Sequence, residues 1–405
     1  MADTLRVLVI GPGAAGASDA LRFEALIPEL ANHGLELVSW TPGDPGDAAT
    51  GSPEASFEAL ETVLSWSDVV VLRRHYRTWH ACLGCGLRTL DAAQAGSHGS
   101  ASGHQVVLAP YFAIRPLVSL LEAEPGVLGN RAIVYDTDDD IFSADLPQGA
   151  EDVLERELVE RILALADLVT TATPVLAERL APRTRSPVRV IRNALDPRWY
   201  EAGRPDDPLQ APGDPRVVYH GVPVRLRDYE VARPAVDAAA REIPTLRRVW
   251  LGGDGPELAA AVDEVRPWVG GLPAFAASLV AARPDIGLAP LVDTPYNCAR
   301  RELHWLEYAM AGAPTIVSGL DGPGPYDVVR DGVDGLVARS RADWERHLRS
   351  LAASPDLRHE LAARARERVL ADYTVAARAP EWAAAYRWAS EHVGVGQGRT
   401  GASAK

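Results

Sequence analysis

Residues 285–318 constrain the fold more tightly than any other stretch of this chain. Asp285-Ile286-Gly287-Leu288-Ala289-Pro290-Leu291 contains a short apolar run, and a polar loop follows it. Leu303, Leu306 and Met310 then recur at helical spacing, Gly312-Ala313-Pro314 makes a turn, and Thr315-Ile316-Val317 supplies a β-branched run. A strand, a helix and a second strand joined in this way predict a βαβ crossover with parallel strands. The helix N-terminus then faces outward at the carboxyl end of the first strand, where open α/β sheets bind ligands.

At about 3.6 residues per turn, Arg300, His304 and Glu307 fall in one narrow arc of that helix, on a solvent-facing stripe away from Leu303, Leu306 and Met310. Backbone N–H groups and a guanidinium near a helix start favour phosphate, and a carboxylate further along can accept both hydroxyls of a ribose. An ordinary surface helix carrying charges gives the same pattern.

A chain of 405 residues with 47% hydrophobic content can bury two cores of ordinary domain size. No run of 18 apolar residues occurs, and the first six residues lack a basic region leading into an apolar core, so a soluble cytoplasmic protein is expected. Lys405 is the sole lysine, which excludes a Walker phosphate lysine and a pyridoxal Schiff base. Any bound diphosphate must be met by arginine. Residues 1–203 hold 16 basic and 28 acidic residues against 25 and 27 in the remainder. The acidic amino-terminal half suits neither nucleic acid nor an anionic membrane surface; it suits a neutral or cationic acceptor, or simply solubility.

Leu5 to Ile10 reads as a strand entering Gly11-Pro12-Gly13-Ala14-Ala15-Gly16, which satisfies the G-x-G-x-x-G pattern. A dinucleotide site also wants an acidic residue closing the second strand, and Leu35 to Trp40 ends in serine and tryptophan, so NAD is disfavoured. Short strands are expected at 69–72, 106–109 and 132–135. The last of these runs into Asp136-Thr137-Asp138-Asp139-Asp140. Such a D-x-D can hold a cation on a diphosphate, and it can equally cap a helix starting at Ile141-Phe142. Cys82-x-x-Cys85 with His80, His98 and His104 could make a tetrahedral zinc site, and the odd count of three cysteines with Cys298 argues for reduced thiols.

Glu307-Tyr308-Ala309-Met310-Ala311-Gly312-Ala313-Pro314, preceded by Asp285-Ile286-Gly287, Pro290-Leu291, Asn297 and Arg300, resembles the signature of the GT-B glycosyltransferases, in particular the retaining enzymes of family 4. Ala-Asp-Leu-Val-Thr at 166–170, Thr173-Pro174 and Val190-Ile191-Arg192-Asn193-Ala194-Leu195-Asp196-Pro197 are further matches in the family's order. The resemblance implies two Rossmann-like α/β/α domains facing a central cleft. The amino-terminal acceptor domain is expected over 1–203, with a proline- and acid-rich linker at 204–215 and the nucleotide-sugar domain at 216–375. A terminal helix crossing back is expected at 376–393 and a disordered tail at 394–405.

The resemblance further implies sugar transfer from a UDP- or GDP-type donor to a small-molecule or glycan acceptor, with retention and without metal or other cofactor, of the kind that serves polysaccharide or antibiotic biosynthesis. Donor-binding residues would be Gly13, Ala14, Gly221, Arg225, Arg227, Asn297, Arg300 and Glu307. Arg300 would stabilise the departing diphosphate, and Asp138 or Asp139 would orient or deprotonate the acceptor. The family's further glutamate, eight residues before the ribose glutamate, is absent, because position 299 is alanine. Sugar contacts then fall to Asn297 or Asp293, and a sugar-nucleotide-binding partner without catalysis stays open as an alternative.

Overall fold

The computed structural model describes residues 4–10, 22–40, 64–73, 118–119, 121–122, 129–146, 156–201, 215–222, 225–253 and 256–393. Gly13 and Ala14, the expected strand at 106–109, the Cys82/Cys85 loop, most of the linker and the tail lie outside these residues. The chain divides into two units. One runs to Arg192 and resumes at Arg378; the other is Asn193–Ala377.

The first unit is built on six strands, β1 Leu5–Ile10, β2 Leu35–Trp40, β3 Val69–Arg73, β4 Ala132–Thr137, β5 Leu168–Thr171 and β6 Val188–Val190. They pair in parallel in the order β2-β1-β3-β4-β5-β6. β3 and β4 are buried at every position, as near-continuous apolar strands covered on both faces must be. The polar ends of these strands are buried as well. Asp136 accepts from Arg22 Nε at 2.9 Å, Arg73 Nε at 3.1 Å and Thr170 Oγ1 at 2.7 Å. Such charges are stable in a core only when paired and hydrogen-bonded. The helix Val375–Glu391 supplies the final layer: Trp382 packs on Phe23 with centroids 5.7 Å apart, and the Arg22 guanidinium stands 4.6 Å over the Trp382 ring.

The second unit repeats the architecture with β7 Arg216–His220, β8 Arg247–Leu251, β9 Glu264–Arg266, β10 Ile286–Ala289, β11 Thr315–Ser318 and β12 Leu336–Ala338. These also pair in parallel, in the order β12-β11-β10-β7-β8-β9. Winding reverses between β7 and β10, and a ligand crevice forms outside the carboxyl ends of strands at such a point. Gly287 in β10 lets the helix Leu303–Ala311 pack closely. A Cβ there would stand 2.4 Å from the Tyr308 ring, whose hydroxyl donates to the Val218 carbonyl at 2.7 Å. Gly312, with φ of 86°, ends that helix in the left-handed conformation that glycine adopts freely.

Among the described residues, no helix is long and apolar enough to cross a membrane, and no group of three or more His, Cys, Asp or Glu side chains gathers in a form that could hold a metal ion.

Candidate functional site

The carboxyl ends of β7 and β10 carry His220 and the loop 290–302, and the side chains that follow them converge with those of the helices Leu226–Glu242 and Leu303–Ala311. The single helix expected to carry Arg300, His304 and Glu307 is broken. Pro295–Cys298 forms one short turn capped by Thr294, whose hydroxyl accepts from the Asn297 N–H at 3.2 Å, and a second helix starts at Leu303. Arg300 lies between them. The expected solvent-facing stripe is also corrected: Glu307 is buried and Arg300 and His304 are half-buried, and residues 305–311 of the second helix are all buried.

Glu307 is 3% exposed, and its Oε2 lies 3.2 Å from His220 Nε2. The His220 ring stands 4.1 Å from the His304 ring and 5.2 Å from Phe275, both edge-on. Burial pushes the Glu307 carboxyl up to about 8. Burial, then the nearby Arg300 charge, push His220 down to about 3, and burial followed by His220 itself lowers His304 well below the ordinary imidazole range. The cluster is therefore neutral near pH 7, and three of its buried polar atoms, His220 Nε2, His304 Nδ1 and Glu307 Oε2, make no hydrogen bond.

Beside it stand two arginines. Nη1 of Arg225 and Nη1 of Arg300 each lie 3.7 Å from Oδ2 of Asp228. Arg225 also stands 5.7 Å over the Tyr296 ring. Burial and then Arg225 lower the pKa of Arg300, whose buried Nη1 makes no hydrogen bond. For Arg225, burial opposes the charge, but Tyr296 and Asp228 outweigh it and the pKa rises.

The remaining expected residues fall as follows. Asn297 is buried, and its Nδ2 donates to Asp228 Oδ1 at 2.8 Å and to the Val292 carbonyl at 2.9 Å. Only its Oδ1 is left open, so it offers an acceptor and no donor. The N–H of Gly221 donates to the Leu251 carbonyl at 2.9 Å, and its own carbonyl accepts from Trp250 Nε1 at 2.8 Å, so its N–H is already engaged. Arg227 is exposed, one residue before Asp228. Asp293 accepts from the Asp321 N–H at 2.9 Å.

In the first unit, Asp138 is fully buried with Oδ1 3.7 Å from Arg73 Nη2, and Asp139 is half-buried. No helix starts at Ile141-Phe142. That segment is a turn, and it is Asp140 that accepts from the Phe142 N–H, at 3.1 Å, while also pairing with Arg179. The reading of Asp136 and Asp138 as a cation pair fails on the same geometry, since Arg22 and Arg73 already occupy Asp136 and Arg73 faces Asp138.

Residues 232–384 match a family model described as glycosyl transferase-like. A sucrose-phosphate synthase from Thermosynechococcus elongatus superposes with a TM-score of 0.62 over 95% of this chain and 98% of its own, at 16% identity. The chain has the GT-B fold of glycosyltransferases. HepE from Anabaena, solved with UDP-glucose, matches this GT-B chain with a TM-score of 0.58 at 13% identity, covering 94% of it and 98% of HepE. A glycosyltransferase from Rickettsia africae gives 0.56 at 9% identity, covering 95% and 98%. No curated protein matches in sequence. Within this GT-B fold, His220, Asp228, Tyr296 and His304 join a cluster that the sequence motifs alone do not pick out. His304 is visible in the sequence as part of the stripe, whereas Asp228 and Tyr296 carry no signal until β7 and β10 are placed side by side.

Proposed function

We propose that the protein transfers a sugar from a UDP-sugar to a small-molecule or glycan acceptor, with retention and without a metal ion. The observation that carries this reading is the cluster itself: a buried glutamic acid, Glu307, against His220, with Arg225 and Arg300 facing Asp228 near the carboxyl ends of β7 and β10. Glu307, once ionised, accepts hydrogen bonds from the two ribose hydroxyls. Arg225 and Arg300 meet the diphosphate, with Arg227 left outside by its exposure. When the bond from the sugar to the diphosphate breaks, negative charge grows on the leaving oxygens, and two fixed guanidinium groups in a partly buried site stabilise that charge more than they stabilise the bound donor. The UDP preference is supported by HepE, which was solved with UDP-glucose. The buried Asn297 Oδ1, without a hydrogen bond of its own, supports a role in accepting from a sugar hydroxyl.

Calorimetry of the wild type and Glu307→Ala against UDP, GDP, dTDP, ADP and NAD, with and without EDTA, tests the reading. Chelator-insensitive binding of UDP that weakens in Glu307→Ala is expected. Binding of NAD alone, or of no diphosphate, sinks it.

A further inference from the structure

The two arginines assigned to the diphosphate are themselves held by a carboxylate. Asp228 lies in the first turn of Leu226–Glu242 and is 5% exposed. Its two oxygens do different work. Oδ1 accepts from Asn297 Nδ2 at 2.8 Å and from the Val292 N–H at 3.1 Å, so two neutral donors from the loop after β10 fix its position. Oδ2 faces Arg225 and Arg300, each at 3.7 Å. That separation is too long for an N–H···O hydrogen bond, yet short enough for strong attraction at low dielectric. Asp228 therefore draws both guanidinium groups together without occupying their donors, and Arg300 Nη1 is left buried without a hydrogen bond. Two like charges side by side, facing one carboxylate, leave Arg225, Arg300 and Asp228 together with one net positive charge.

We infer that Asp228 is a positioning residue that also competes with the donor: it gathers Arg225 and Arg300 and offsets one of their charges, so the nucleoside diphosphate product is held weakly enough to leave. This rests on the reading of the site given above. A site that binds substrate and product as tightly as the transition state gains nothing in turnover, and a built-in carboxylate limits such uniform binding.

Asp228→Asn keeps the side-chain size and the acceptor for Asn297 and Val292, and it removes the charge. UDP is expected to bind about ten-fold tighter to this variant, with a steeper loss of affinity on adding salt, while kcat falls. Asp228→Ser, which removes the charge and keeps a small polar side chain, should also tighten binding. Calorimetry with UDP at low and high ionic strength reads both, beside steady-state kcat and KM. Affinity that is unchanged or weaker in either folded variant overturns the inference. So does failure of both variants to fold, because the carboxylate would then be required by the fold and not by the arginines. A wild type that binds no UDP removes the proposed function and this inference together; a wild type that binds UDP in a Glu307-dependent way, with Asp228→Asn unchanged, removes this inference alone.

Discussion

Nε2 of His220 lies 3.2 Å from Oε2 of Glu307, and both side chains are buried. The contact joins the last residue of β7 to a helix that begins more than eighty residues later, and the burial of both groups sets how the site responds to pH. A glutamic acid that keeps its proton up to about pH 8 has one oxygen blocked as an acceptor. UDP affinity of the wild type should therefore rise between pH 7 and 9 as Glu307 ionises. In Glu307→Gln the rise should vanish, leaving the phosphate's own titration common to both proteins. Calorimetric affinities across that range check this, and parallel profiles for the two proteins would contradict it.

The same two residues give stability a pH dependence with opposed slopes. Between the ordinary glutamate value, near 4.3, and about 8, folded Glu307 holds a proton that the unfolded chain has released, so stability falls as pH rises. Between about 3 and the ordinary histidine value, near 6.5, the unfolded chain holds a proton that folded His220 lacks, so stability rises with pH. Above about pH 6.5 only the falling slope remains. The Tm of the unliganded wild type should drop from pH 7 to 8.5, and Glu307→Gln should flatten that drop. Thermal scans in matched buffers at one scan rate decide it.

Arg300→Ala and Arg225→Ala should each lower kcat/KM with a UDP-sugar by about 10²–10³-fold, the scale of losing one fixed donor to a developing charge. Arg227→Ala, exposed beside Asp228, should stay close to wild type. Equal losses at all three positions would show that the effect is one of overall charge and not of the two arginines facing Asp228.

Much of the second unit is legible in the amino-acid sequence. The apolar runs of β10 and β11, with the Gly-Ala-Pro turn between them, announce a crossover, and Asn297, Arg300 and Glu307 lie within it. What the pattern misses is set by geometry that periodicity does not carry. No proline or glycine marks the break between Cys298 and Leu303, so counting helical turns across it puts Arg300 on the same helix as Glu307. The count also puts the stripe in solvent, because apolar spacing says which residues prefer burial and cannot say that a carboxylate is buried beside a histidine. Asp228 and Asn297 are 69 positions apart, and their hydrogen bond exists only because β7 and β10 are neighbours in the sheet. In the first unit, a run of four carboxylates among five residues has the pattern of an exposed acidic turn. Its first member is the centre of an arginine network whose partners come from positions 22 and 73.

Gly287→Ala should act on stability and site together. The added methyl would stand 2.4–2.7 Å from three carbons of the Tyr308 ring, so the ring must move and its hydrogen bond to the Val218 carbonyl is strained. Overpacking of this kind costs about 1–3 kcal/mol. Tyr308 directly follows Glu307, so UDP affinity should weaken as well. Chemical denaturation with a UDP titration on the same variant reads both, and an unchanged affinity would detach Glu307 from the packing of Tyr308.

Asp136→Ala tests the other unit. Arg22, Arg73 and Thr170 all donate to Asp136, and both arginines are buried. Removing the carboxylate leaves two buried guanidinium groups, with Asp138 standing 3.7 Å from Arg73. Breaking a buried pair from one side costs about 3–5 kcal/mol. Asp136→Asn, which keeps an acceptor oxygen but loses the charge, should fall between this variant and wild type. Arg22 also stands over Trp382 of the terminal helix and donates to the Ile191 carbonyl at 2.8 Å, so loosening of Arg22 should reach that helix. Hydrogen exchange of residues 378–391 should quicken in Asp136→Ala while the amides of β10 and β11 in the other unit keep their protection. Faster exchange in both units would mean that the two unfold as one, and that the network's effect is not confined to the sheet it closes.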